Sequence, residues 1–245
     1  MIDPTILHLG PLEIRWYGLM YVLGFFVTYY YVRSFIRQGK LNLTEKELDN
    51  LLGLMVICMI IGARLFEAIF YEPSYFLAQP WKILFIWEGG LSFHGAFLGI
   101  AAAVWWYGRK KGIPFLRLAD IFCVPIALGN AFGRVGNFIN GELYGVPTSL
   151  PWGVNFPGAE GARHPTQLYE ALYNVVIFGI LFSLRNKKWK DGVLFGLFMI
   201  LYSIFRFSVE FIKDLPAYGP LTMGQWLTIP VFLFGIWLVW RTRNV

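Results

Sequence analysis

Charge is scarce in this 245-residue chain: Asp, Glu, Lys and Arg make up 15% of it, against roughly a quarter in a soluble globular domain. That excludes an ordinary water-soluble fold. Cysteine is scarcer still. Cys58 and Cys123 lie in separate apolar runs without CxxC or CxxH spacing, which excludes a disulfide framework or a thiolate metal site and leaves both as packing residues. The first fifteen residues lack the basic, apolar and small-residue regions of a removable signal peptide, so the first apolar segment is expected to stay. Also missing are a P-loop, GxSxG, HExxH and a paired-aspartate motif, so NTP hydrolysis, serine-elbow lipase chemistry and zinc proteolysis lose support. No ten-residue alternation of a membrane barrel is present.

What the chain has is apolar length: 57% hydrophobic and 19% aromatic residues, with a mean hydropathy of +0.54. A membrane helix needs roughly 20 apolar residues, and such windows fall at 16–36, 48–71, 91–107, 118–139, 167–184, 192–212 and 222–240. The third is short, and 83–87 before it reads as an interfacial or partly inserted helix. The expected fold is an all-α polytopic transmembrane bundle of seven spans over 1–245, one integral membrane domain with a small extracytoplasmic loop or head segment. Fourteen of the 21 lysines and arginines occupy the loops after spans one, three and five and the C-terminal end. Positive loops are retained in the cytoplasm, so the N-terminus is expected outside and the C-terminus inside. The net charge of +6 then serves retention and contact with anionic lipid, with no call for nucleic acid.

Ionisable groups inside spans each cost about 2.5–3.5 kcal/mol at least and require a partner, a cavity or a function. Given the span directions, Tyr17, Arg64, Glu67, His94, Arg134, Asn137, Asn140, Glu142, Glu170, Arg206 and Glu210 all fall near the outer ends, and only Asp120 falls near the inner side. Six helices could aim these groups at one cavity. Arg64 and Glu67, three apart, read as structural. Arg206 and Glu210, four apart on one face, have the spacing of a local ion pair. Gly95 and Gly99, at four-residue spacing beside His94, permit close helix approach. Arg134 has no acid at helical spacing before it and sits in GNAFGRVGNFINGELYG, whose five glycines suit a helix lining a cavity. Two guanidiniums can grip a phosphate or carboxylate by paired hydrogen bonds, so an anionic substrate from the outer leaflet is expected, and a phospholipid headgroup fits. An alternative from the same charges is a secondary transporter or channel for an anion, although the charges cluster toward one face and no repeat at fixed spacing is found.

The motifs WYGLMY at 16–21, GGLSFHGAFLG at 89–99, GRVGNFINGELYG at 133–145, RHPTQLYE at 163–170, FRFSVEF at 205–211 and TMGQ at 222–225 together resemble, in order, the bacterial prolipoprotein diacylglyceryl transferases. The resemblance runs through nearly the whole chain, with 133–145 its most specific stretch. It implies transfer of the diacylglyceryl group of phosphatidylglycerol to the lipobox cysteine of a prolipoprotein, forming a thioether and releasing glycerol phosphate, in the bacterial plasma (inner) membrane with the site toward the periplasm. It further implies that Tyr17, His94, Arg134, Asn137, Glu142, Gly145, Arg206 and Glu210 are the important positions. On that reading His94 or Glu142 is the base that generates thiolate, and Arg134 and Arg206 hold the phosphate. Asn137 and Tyr17 orient the headgroup, and Glu142 and Glu210 fix the guanidiniums. No cofactor or metal is called for. Two departures stand out: Ala96 takes the place of the family's second glycine after the histidine, and the Pro- and Gly-rich segment 146–163 is short, expected to be a loop without helix.

Overall fold

The computed structural model describes residues 3–9, 12–86 and 89–243. A hairpin of β1 (Thr5–Leu9) and β2 (Leu12–Arg15) leads into α1 (Trp16–Arg37). Next come α2 (Glu45–Phe66), prolonged by a wider π turn over Glu67–Tyr71, then the short α3 (Pro73–Ala78), a 3₁₀ turn over Pro80–Leu84 and α4 (Phe93–Lys111). After these follow α5 (Phe115–Asn140), the small hairpin β3 (Val154–Asn155) with β4 (Ala162–Arg163), α6 (Thr166–Leu184), α7 (Val193–Glu210), the hairpin β5 (Ala217–Tyr218) with β6 (Leu221–Thr222), and α8 (Met223–Arg243). Each β pair is antiparallel. Among the described residues, segment 146–163 holds a hairpin and turns and no helix. The expected helix at 83–87 is replaced by the end of the 3₁₀ turn, and Trp87 lies outside the described residues.

Among the described residues, six helices are long and apolar enough to cross a membrane: α1, α2 with its π turn, α5, α6, α7 and α8. The chain is therefore a mostly helical, multi-pass membrane protein. The helix at the expected third span, α4, is as long as α6 at 19 residues but lies outside that set, because His94 near its start and Arg109, Lys110 and Lys111 in its last turn dilute its apolar stretch. Large apolar side chains such as Phe26, Ile57, Leu172, Leu233 and Trp240 are exposed, a surface suited to lipid and not to water.

The chain forms two compact units, one of residues 1–31 with 119–245 and one of 32–118. In the second unit α2 packs on α4 through glycine. A Cβ at Gly62 or Gly95 would overlap the other's carbonyl, and one at Gly99 would overlap the Cys58 carbonyl, so the small residues let the backbones meet. Ala96 is half-buried beside this contact and leaves it to Gly95 and Gly99. At the helices' other ends the Tyr107 hydroxyl donates to the Glu47 carbonyl at 3.0 Å, and Thr44 and Glu47 close a capping box on α2.

In the first unit α5, α6 and α7 share a core of Cys123, Val124, Ala127, Tyr173, Ile177, Leu181 and Leu194. Cys123 is buried there, in keeping with a packing role. Gly196 and Gly235 bring α7 and α8 together. The buried Asp120 of α5 accepts from the backbone amides of Gly192 and Phe195 at 2.7 Å each. It thus caps α7 from a neighbouring helix and explains the one acid expected near the inner side.

Candidate active site

The centre of the first unit's polar cluster is Glu170, on the first turns of α6 and fully buried. Three cations converge on it. Arg134 Nε from α5 lies 2.9 Å from Oε2, Arg206 Nη1 from α7 donates to Oε1 at 2.5 Å, and Lys213 Nζ, three residues past α7, lies 3.0 Å from Oε1. The Arg134 contact is an ion pair whose N–H is not aligned on Oε2, since that oxygen has no well-directed hydrogen bond. Arg206 reaches a second carboxylate, with Nη2 3.0 Å from Glu210 Oε2. Among the groups in direct contact, three cations against two carboxylates leave one excess positive charge. The Arg134 and Arg206 side chains keep 22% and 18% of their surface exposed while Glu170 keeps none. The arginine side chains are thus partly accessible while their counter-ion is not.

Burial pushes the Lys213 ammonium below its ordinary proton affinity, with Glu170 pulling in the opposite direction.

The end of α5 builds the second part. Arg134 Nη1 donates to Asn137 Oδ1 at 3.4 Å, and Asn137 Nδ2 donates to Glu142 Oε1 at 2.7 Å, joined by Asn140 Nδ2 at 3.2 Å. The expectation that Glu142 fixes a guanidinium is corrected here. The chain leaves the helix at Gly141, φ +72°, and Leu143, φ +61°, and this reversal turns the Glu142 carboxylate onto the two amides. The acid that holds Arg134 comes from α6. Leu143 is a non-glycine residue in the left-handed region, held there as its carbonyl accepts from Thr166 Oγ1 at 2.8 Å, while the Glu142 carbonyl accepts from Gln167 Nε2 at 2.5 Å. Tyr17 of α1 lies against α5 at Gly136, where a Cβ would overlap its ring, and shares a hydrogen bond with Tyr21 at 3.0 Å. Gly145 is a backbone joint. It bridges Lys213, its amide donates to the His164 carbonyl at 2.9 Å, and a Cβ there would overlap the Ile212 carbonyl.

Two motifs gain physical content. In RHPTQLYE, Arg163 pairs with Asp214 at 2.9 Å, His164 and Tyr169 hydrogen-bond at 3.2 Å, Thr166 and Gln167 hold the chain after α5, and Glu170 anchors the cations. In TMGQ, the Thr222 hydroxyl donates to Glu210 Oε1 at 3.0 Å, and Thr222 and Gln225 form reciprocal side-chain-to-amide bonds at 3.0 and 3.2 Å at the start of α8. Gly224 gives the Glu210 carboxylate room against that helix start, since a Cβ would occupy the carboxylate's place. Glu210 therefore fixes Arg206, as the spacing implied, and is itself fixed by α8.

His94 belongs to the other unit. It stands exposed in the first turn of α4, which Ser92 caps, with Nδ1 3.3 Å from the Tyr71 hydroxyl and its ring 6.2 Å from that of Phe66. Arg64, in the same unit, is structural as its spacing suggested, though not through Glu67. Its five N–H groups donate to five carbonyls: Nε to Ile83 at 3.0 Å, Nη1 to Gly89 and Gly90 at 2.5 and 3.0 Å, and Nη2 to Lys82 and Phe85 at 2.6 and 3.0 Å.

The sequence places Glu170 in the outward polar group but assigns it no part in holding the arginines, and counts Lys213 only as a loop charge. The signal for Glu170 was its place in RHPTQLYE; for Lys213 none exists, because its burial is tertiary. Among the described residues, no group of three or more His, Cys, Asp or Glu could hold a metal ion.

Comparison with known proteins follows the same lines. The family model described as prolipoprotein diacylglyceryl transferase matches residues 4–241. Proteins named phosphatidylglycerol–prolipoprotein diacylglyceryl transferase are similar along nearly their whole length. That of Geobacter sulfurreducens is 46% identical over 243 residues, covering 96% of this chain and 93% of the relative. That of Solidesulfovibrio magneticus is 45% identical over 251 residues, covering 98% and 94%. That of Desulfotalea psychrophila is 44% identical over 257 residues, covering 99% and 94%.

Proposed function

The chain belongs to the prolipoprotein diacylglyceryl transferase family, and we propose that the cluster around Glu170 is where it performs that family's group transfer. The enzyme transfers the diacylglyceryl group of phosphatidylglycerol to the lipobox cysteine of a prolipoprotein. The thiolate sulfur attacks the glyceryl carbon, the bond from that carbon to the phosphate oxygen breaks, a thioether forms, and glycerol phosphate leaves with the electron pair. The transporter reading is not favoured by this family membership.

The observation that carries the assignment is the excess positive charge on partly exposed arginine side chains: Arg134 and Arg206 flank a sealed Glu170. A phosphodiester carries one negative charge, which the cluster's single excess positive charge matches. As the carbon–oxygen bond breaks, charge accumulates on the phosphate, and guanidiniums already oriented by Glu170 and Glu210 stabilise it without reorganising. Asn137, tied between Arg134 and Glu142, and Tyr17 orient the headgroup. Gly145 sets the backbone beneath them. His94 is the proposed base for the thiol proton, and the Tyr71 hydroxyl lies 3.3 Å from its Nδ1. Glu142 spends its Oε1 on Asn137 and Asn140, which makes it a positioning residue in this account.

The whole of 1–245 acts as one membrane-embedded domain of seven spans, α4 included. Its N-terminus lies outside and its C-terminus in the cytoplasm, in the bacterial inner membrane, with the Glu170 cluster toward the periplasmic face. The lysine and arginine asymmetry supports this orientation. The test is transfer of a lipid-derived label from phosphatidylglycerol to a lipobox peptide by the purified protein, beside the same peptide with serine for cysteine. Label on the cysteine peptide alone, with glycerol phosphate released, is expected. Label on both, or on neither with folded protein, rejects the assignment.

A further inference from the structure

A cavity of about 530 Å³ opens between the start of α2 and the end of α4, lined by Lys46, Glu47, Asn50, Leu54 and, from α4, Trp106, Lys110 and Lys111, with Thr44 at its edge. Its size falls within the range of small-molecule sites. The lining is graded. Lys46, Lys110 and Lys111 stand at the helix ends, Asn50 on α2 and Trp106 on α4 each come about a turn deeper, and Leu54 comes deeper still. At a rise of about 1.5 Å per residue, Lys110 to Trp106 spans roughly 6 Å and Lys46 to Leu54 roughly 12 Å. The charge is unbalanced. Lys111 pairs with Glu47, whereas Lys110 rests on the Trp106 ring at 5.2 Å and Lys46 is exposed, leaving two cations beyond the one acid. The α2 start already has its capping box, so the side chains and not the backbone amides would meet a ligand.

We infer that this cavity binds an anionic phospholipid, its phosphate between Lys46 and Lys110, its headgroup or glycerol oxygens near Asn50, and its acyl chains descending past Trp106 and Leu54. A cationic rim, a level shared by Asn50 and the Trp106 ring, and Leu54 beneath match the phospholipid molecule from headgroup to tail. Basic pockets between membrane helices are known to take such headgroups. A free phosphate would use the rim alone and leave the half-exposed Trp106 and Leu54 without purpose. None of these residues belongs to the catalytic cluster, so the inference stands apart from the transfer reaction.

The test reconstitutes the full-length protein in phosphatidylcholine vesicles carrying a small fraction of dibrominated phosphatidylglycerol or dibrominated phosphatidylcholine, with no peptide present. The Trp106 component of fluorescence is read as wild type minus Trp106→Phe. Brominated phosphatidylglycerol is expected to quench that component several-fold more than brominated phosphatidylcholine, each rim lysine contributing about fivefold to the preference. The Lys46→Gln/Lys110→Gln variant is expected to lose the preference, while Lys187→Gln/Lys188→Gln, which removes equal charge elsewhere, keeps it. Diacylglyceryl transfer should persist in both variants. Equal quenching by the two lipids, equal loss in both double variants, or displacement by millimolar glycerol phosphate would each overturn the assignment of a phospholipid site.

Discussion

Arg64 and the pair Arg134 and Arg206 are all arginines in or at the end of membrane helices, and they are stabilised in opposite ways. Arg64 spends all five N–H groups on the carbonyls of the chain between Lys82 and Gly90 and has the Phe76 ring 4.9 Å away. It is buried, with 5% exposure. Its work is to hold the segment whose carbonyls it takes. Arg134 and Arg206 face carboxylates, share Glu170 with Lys213, and keep part of their surface open. A guanidinium with every donor consumed is a clasp, whereas one that is oriented by buried acid and still accessible is a binding group. The amino-acid type is the same, and the partner decides the role.

The largest effect expected from breaking this contrast is on turnover. Arg134→Ala and Arg206→Ala should each slow transfer to the lipobox peptide by about a hundredfold to a thousandfold, the scale of losing one preorganised charge-stabilising donor. Glu170 keeps two cations in either variant, so a detergent-solubilised fold should persist in circular dichroism. Glu170→Gln acts on the counter-ion and leaves Arg134 and Lys213 without a carboxylate in a buried place, while Arg206 keeps Glu210. It should cost about 3–5 kcal/mol of stability, seen as a lowered Tm. Adding Lys213→Met should recover part of that loss, about 1–2 kcal/mol, because residues in one network couple.

On the clasp side, Arg64→Lys offers three donors for five carbonyls and should cost roughly 2–3 kcal/mol, at about 1 kcal/mol or more per orphaned group. Protease sensitivity between Lys82 and Gly90 should rise while transfer per folded molecule holds. Gly99→Ala, whose methyl meets the Cys58 carbonyl, should force α2 and α4 apart and cost about 1–3 kcal/mol. Ala96→Gly, off that contact, should change Tm by less than about 1 kcal/mol's worth, the helix penalty for glycine.

Helix positions were legible because long apolar runs admit few alternatives. The expected 16–36 and 167–184 fall within a residue of α1 and α6. Arg134 and Asn137 were legible from a glycine- and asparagine-rich run that has no purpose in a plain span, and Arg206 with Glu210 from helical spacing. The partner of Arg134 was not legible. Glu170 lies on another helix, and local spacing carries no information about which helices meet, so the nearer Glu142 drew the assignment. The clasp around Arg64 escaped for a related reason: its partners are carbonyls, which every residue has. Lys213 looked like a loop charge because burial at a chain reversal follows from the packing of 145 against 212–213, which no window of sequence contains.

The most direct test of the contrast is to measure transfer per folded molecule for Arg134→Ala and Arg64→Lys side by side, with Tm recorded on the same samples. Turnover is expected to fall at least about a hundredfold at a nearly unchanged Tm for the first, and to be retained at a lowered Tm for the second. Retained transfer in Arg134→Ala, or transfer lost in Arg64→Lys protein that is still folded, would contradict the assignment of binding group and clasp.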